Sequence, residues 1–195
     1  LDADDLWKKN KIKFQYEFMK KNKIHFSHTS YEIVDNYDYI LRKMNIKEKL
    51  AIKAKDVEKA LHDYLVVREP KKLYEAMAHI PLAGGKRLRP IMAQLTCEMV
   101  GGDGLKSIPF AASLEVIHNF TLVHDDVMDD DDLRHGVAAC HTVYGLPTAI
   151  LAGDSLFAYA FEMIVESDVS DKVKAELVRH TASVSYTHLR AHETG

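Results

Sequence analysis

The sequence predicts an all-α protein. Three observations carry that prediction: apolar residues recur at helical spacing through the middle of the chain, Pro and Gly fall between the periodic segments, and no β-hairpin signal or internal repeat is visible. Over residues 47–67, Leu50, Ala54, Val57, Leu61 and Tyr64 recur at helical spacing. A short helix follows Pro70 and carries Leu73, Tyr74 and Met77. Residues 81–85 break it, and Pro90 suits the first turn of the next helix, which ends at Gly101 and Gly102. Ser107 is placed to cap a long helix through Leu114 and Ile117 to Asp129 or beyond. Residues 136–147 read as a loop region and 148–166 as an apolar helix. Ser170 can cap a last helix with Val173 and Leu177 on one face.

The 195 residues suit one domain or part of one, and 47% hydrophobic with 28% charged residues is the balance of a soluble globular core. A net charge of -3 argues against nucleic acid as a main partner, because neutralising phosphates needs a basic excess. Cys97 and Cys140 show neither zinc spacing nor a disulfide framework, so a reducing cytoplasm is expected. Lys8, Lys9 and Lys11 lead into no apolar run, unlike a signal peptide. The most apolar stretch, 147–165, contains Asp154 and Glu162, so we expect a buried core helix and no transmembrane segment.

Both ends read as foreign to the fold. Residues 1–43 are rich in Lys, Asn, Ile, Phe and Tyr with poor helical periodicity. We expect upstream read-through or a disordered extension there, with a natural start at Met44. Residues 184–194, VSYTHLRAHET, read as the translation of a sequencing-library adapter. Residues 184–195 are therefore expected to be an artefactual tail, leaving 44–183 as the N-terminal part of a catalytic domain.

An acidic run, His124-Asp125-Asp126-Val127-Met128-Asp129-Asp130-Asp131-Asp132, ends the long helix. Such dense like charge usually marks a solvated, fraying helix end. Spacing argues otherwise. Asp125 and Asp129 share a helix face, and His118 and Thr121 extend that polar stripe on a helix whose other face is apolar. Mg²⁺ would give the stripe a purpose, since it takes one or two carboxylates plus water and phosphate oxygens. A diphosphate held by such ions becomes a better leaving group.

A basic run, Gly84-Gly85-Lys86-Arg87-Leu88-Arg89-Pro90, opens a helix. Two glycines let the backbone approach a ligand, and the helix start offers free N–H groups. Lys86 and Arg89 add full charges suited to phosphate. The spacing is not that of a P-loop.

The two runs in this order resemble the trans-prenyl diphosphate synthase family. The resemblance rests on GGKRLRP at 84–90, HDDVMD at 124–129 and Leu133-Arg134-His135-Gly136. The stretches 117–126 and 144–154 add to it, and it covers residues 45–183. Archaeal short-chain members, the geranylgeranyl and farnesyl diphosphate synthases, look most similar. The resemblance implies an isoprenoid-synthase-type helical bundle that is cytoplasmic and homodimeric in its full length. It implies Asp125 and Asp129 as Mg²⁺ ligands, supported by Asp126. It implies Arg134 on the allylic diphosphate, and Lys86, Arg89 and His118 on isopentenyl diphosphate. His135 stands where the family has a second arginine, which weakens phosphate binding there. The family's second aspartate-rich motif is absent from these 195 residues. The chain by itself is therefore expected to be inactive and its parent to be the enzyme.

Phe120 and Thr121 lie five and four residues before Asp125. An aromatic at the fifth position alone resembles geranylgeranyl-forming members, so the expected product is C20, with some C15. Three alternatives remain at this point: a class I terpene cyclase, a non-catalytic regulatory subunit, and an acidic structural protein that binds divalent ions loosely. Lys86 and Arg89 at the glycine break argue against the first, and the intact HDDVMD against the second. Asp154 either faces the metal or hydrogen-bonds a neighbouring helix, with the second favoured. His124 and His141 read as structural, and Phe157, Tyr159 and Phe161 as core or dimer contacts.

Overall fold

The structure is a computed structural model that describes residues 11–22, 31–34, 40–44 and 46–192, with side chains described no further than Ser185. The chain divides into two units, residues 1–53 and 54–195. In the first, α1 (Lys11–Asn22) precedes β1 (Tyr31–Val34) and β2 (Ile40–Met44). These strands pair antiparallel from Tyr31 opposite Met44 to Val34 opposite Ile40, with an irregularity between Ile33 and Val34. No hairpin was expected from the sequence. The expectation for residues 1–43 falls in part on 1–10, 23–30 and 35–39, which lie outside the described residues.

α2 (Ile46–Tyr64) runs from the first unit into the second. There it is followed by α3 (Lys71–His79), a 3₁₀ turn (Pro81–Ala83), α4 (Leu88–Met99) and α5 (Ile108–Met128). Then come β3 (Leu133–Arg134), β4 (Val137–Ala138), α6 (Cys140–Tyr144), α7 (Leu146–Val165) and α8 (Asp171–His192). The all-α class holds. The backbone of α8 continues through the suspected adapter tail to His192, although side chains from 186 on lie outside the described residues.

α5 is the central helix and packs chiefly on α7, with α4 and α6 at its flanks. Small residues make that close pairing possible: Ala111 and Ala112 on α5, and Ala149, Ala152 and Ala160 on α7, are all fully buried. Leu61, Ile80, Val116, Val123, Leu156 and Met163 fill the space between elements and are also at zero exposure. Each such large apolar side chain contributes about 1.5–3 kcal/mol when buried. α7 is long and apolar enough to cross a membrane by length and composition. One face of it is core as expected. Leu146, Ile150, Leu151 and Val165 are nonetheless exposed, beside Asp154 and Glu162.

The segment after the acidic run corrects the expected loop at 136–147. Arg134 pairs with Val137, leaving the two-residue turn His135-Gly136. Both turn residues have left-handed backbones, φ 53° and 82°. Two consecutive positive φ values match the twist of a tight hairpin. Strands of two residues are too short to show alternation, so only the X-Gly turn signalled them. Cys140 to Tyr144 then forms a short helix with Cys140 fully buried. Ser107 also departs from expectation: its hydroxyl donates to the Gly104 carbonyl at 2.7 Å and makes no cap bond to α5.

Candidate active site

The basic turn is built on backbone that few side chains tolerate. Gly84 and Gly85 have φ of 111° and 150°, and Arg87 is left-handed at 50°. No atom stands within 4 Å of where a Cβ would sit at Gly84, so conformation rather than space demands glycine there. The turn splits its three cations. Lys86 and Arg89 are exposed, whereas Arg87 is 3% exposed. Arg87 Nε donates to Glu58 Oε2 at 2.8 Å, Nη1 to Glu115 Oε1 at 2.9 Å and Nη2 to the Pro81 carbonyl at 2.6 Å. Burial works against the Arg87 charge, but the two glutamates outweigh it and hold the guanidinium above its ordinary value.

Lys86 and Arg89 line a concavity of about 470 Å³ together with Gly84, Gly85 and Arg87. α5 contributes Glu115, His118 and Asn119, and the β3–β4 turn contributes His135. The three residues expected to hold isopentenyl diphosphate, Lys86, Arg89 and His118, therefore meet in one hollow, with His135 beside them. Asn119 is 2% exposed and donates to the Glu115 carbonyl at 2.8 Å, which anchors that wall.

The acidic run begins in the last turn of the same helix and continues past its C-cap, Asp129. Asp125 lies two turns beyond His118, about 10 Å along the axis. Asp125 is half-buried and Asp129 exposed, with the Asp129 N–H donating to the Asp125 carbonyl at 2.8 Å. Asp126 is fully buried. Its Oδ1 accepts from Arg134 Nε at 2.7 Å and also contacts Arg134 Nη2. The bond to Asp126 is the main cause raising the Arg134 guanidinium above its ordinary value. Asp126 Oδ2 is buried without a hydrogen-bond partner among the described residues. Asp126 thus holds the arginine in place, while Asp125 and Asp129 stand half-buried and exposed, respectively, at the helix end.

Those two carboxylates fit a hard divalent cation. They are oxygen donors a turn apart at a helix C-terminus, where the backbone adds negative potential. Among the described residues no group of three or more His, Cys, Asp or Glu could hold a metal. A site here would need water and substrate oxygens to complete it.

Below the carboxylates the helix is aromatic. Phe120 is 4% exposed; its ring meets His124 edge-on at 5.0 Å and Phe157 of α7 at 5.0 Å. Phe157 in turn meets Phe161 at 5.0 Å. Thr121 is buried, and its hydroxyl donates to the His118 carbonyl at 2.8 Å. His124 fits a notch at Gly153, where a Cβ would collide with its ring, and lies 3.7 Å from the exposed Asp154. Sequence reasoning missed Arg87, Glu58 and Glu115. A signal existed for one of them: Glu115 is a lone carboxylate in an apolar stretch, which requires a buried cation.

The helical second unit thus sets a cationic turn against α5, the helix at whose C-terminal end Asp125 and Asp129 stand a turn apart. The polyprenyl synthetase family model matches residues 70–191. A geranylgeranyl pyrophosphate synthase of Geoglobus acetivorans is 50% identical over 123 residues, covering 63% of this chain and 39% of that protein. The solved structure of the geranylgeranyl pyrophosphate synthetase from that archaeon superposes with TM-score 0.69 at 45% identity, over 70% of this chain and 45% of the other. The corresponding enzyme from Pyrococcus horikoshii gives 0.68 at 40% identity, over 71% and 42%. The chain belongs to the polyprenyl synthetase family. It spans between about a third and under half of the length of the curated relatives it matches.

Proposed function

We propose that the protein carrying this chain is a short-chain trans-prenyltransferase. It joins isopentenyl diphosphate to an allylic diphosphate (dimethylallyl, geranyl or farnesyl) and makes geranylgeranyl diphosphate, with some farnesyl diphosphate. One observation carries the reading: Lys86, Arg89, His118 and His135 line a single hollow on the helix that ends in Asp125 and Asp129.

The roles follow from charge. Lys86, Arg89 and His118 hold the diphosphate of isopentenyl diphosphate, with His135 as a weaker contact. Arg134, fixed by Asp126, stabilises negative charge on the departing allylic diphosphate. Asp125 and Asp129 would hold Mg²⁺, which supplies charge withdrawal from that leaving group. The allylic C–O bond breaks, and the isopentenyl double bond attacks the carbon released. A proton then leaves for the freed diphosphate. Positioning and electrostatics supply most of the acceleration. Phe120, braced by Phe157, stands as the floor that limits product length. We place the enzyme in the cytoplasm as a homodimer.

The test uses the full-length parent protein with labelled isopentenyl diphosphate and farnesyl diphosphate. The expected result is Mg²⁺-dependent C20 product, with Lys86→Ala raising KM for isopentenyl diphosphate selectively. Product formation insensitive to Lys86 and Arg89 would overturn the assignment.

A further inference from the structure

Of the three cations in the basic turn, Arg87 alone is buried. Glu115 supplies a reason. It is 6% exposed, yet it lines the same hollow as Lys86 and Arg89. A bare carboxylate there would repel a diphosphate at short range. Arg87 Nη1 sits 2.9 Å from that carboxylate.

We propose that Arg87 is a positioning residue for anion binding, and that it works by screening Glu115 beneath the diphosphate hollow. The inference rests on reading that hollow as a diphosphate site. Arg87 touches no substrate itself. Its left-handed backbone and buried guanidinium place it so that the pair Arg87–Glu115 removes a repulsive charge while tying α5 to the turn. Glu58 binds the same guanidinium from α2 at 2.8 Å and completes the trio.

The formal charges make the claim testable. One guanidinium against two carboxylates gives the trio a charge of -1. Arg87→Met makes it -2, Glu115→Gln makes it 0, and the double variant returns it to -1 by the same count. Anion affinity should follow that order. Calorimetry on the full-length protein that carries this chain, with isopentenyl diphosphate and separately with inorganic pyrophosphate, measures it. Glu115→Gln should tighten binding severalfold. Arg87→Met should weaken it about tenfold. The double variant should recover to near the parent value. Added salt should compress all three differences.

A purely structural role for Arg87 predicts a double variant no better than Arg87→Met, and that result overturns the inference. If Arg87→Met fails to fold by circular dichroism, Glu115→Gln decides alone: unchanged or weaker binding overturns it. If the parent chain binds and Lys86→Ala weakens binding while the Arg87 and Glu115 variants match the parent, only this inference falls. If the parent chain binds neither anion, the diphosphate reading falls and this inference falls with it.

Discussion

At the scale of residues, the aspartates of HDDVMD divide their work by burial. Asp129 is exposed at the C-cap of α5. Asp126 is fully buried and holds Arg134. The two should therefore fail differently. In the full-length enzyme, Asp129→Asn should lower turnover by about 10²-fold, raise the Mg²⁺ requirement and leave the melting temperature unchanged. Asp126→Ala should lower stability by about 1–3 kcal/mol as well as activity, because Arg134 loses its main partner. Melting curves beside steady-state kinetics separate the two cases. Equal loss of melting temperature in both variants would contradict the division. Phe120 is a second case. An ideal helix turns about 140° between Phe120 and Asp125, so the sequence alone left its direction open. Its contacts with His124 and Phe157 place it between α5 and α7. Phe120→Ala should lengthen the product beyond C20 by at least one unit, read by chromatography of the alcohols. An unchanged product distribution would reject its role as floor.

At the scale of elements, the α5–α7 seam depends on one missing side chain. A Cβ at Gly153 would collide with the His124 ring, and that ring cannot swing freely because Phe120 packs against it. Gly153→Ala should cost about 1–3 kcal/mol. Combining it with His124→Ala should remove most of that cost, since the two changes act on one contact. Urea unfolding of the four-member cycle measures the coupling, and additive losses would show that the notch does not matter. The same elements show what the sequence made legible. α3 and α5 were readable because Pro70, Gly101 and Gly102 punctuate a clear 3.6-residue period. The polar stripe His118, Thr121, Asp125, Asp129 placed the site on a helix. It did not reveal that Thr121 is buried, bonding back to its own helix. The β3–β4 hairpin was not legible, because two-residue strands carry no alternation. Arg87 was hidden for a different reason. Three cations in four positions look alike in sequence, and only tertiary packing decides which one turns inward.

At the scale of the whole molecule, the buried core couples stability to alkaline pH through one thiol. Cys140 is fully buried where α6 meets α3, with its sulfur 3.6 Å from the Ala76 carbonyl. Burial, with a smaller contribution from the charge of Asp126, pushes the thiol up from an ordinary value of 9.0 to about 11. Below pH 9 the folded and unfolded chains both keep the proton, so the full stability is present. Between pH 9 and 11 the unfolded chain releases it while the fold retains it. The unfolded state then binds fewer protons, and stability falls as pH rises. Two pKa units correspond to about 2–3 kcal/mol, a large fraction of a typical folding free energy. Tyr64, Tyr144 and Tyr159 are also raised, each chiefly by burial, and would add to the loss at higher pH. Cys140→Ser isolates the thiol, because serine keeps the shape and does not titrate. At neutral pH the variant should be the less stable of the two, through its imperfectly paired hydroxyl. Urea midpoints measured at several pH values should show the wild-type lead shrinking steadily through the alkaline window. A lead that stays constant across that window would mean that the thiol proton is not what the fold protects.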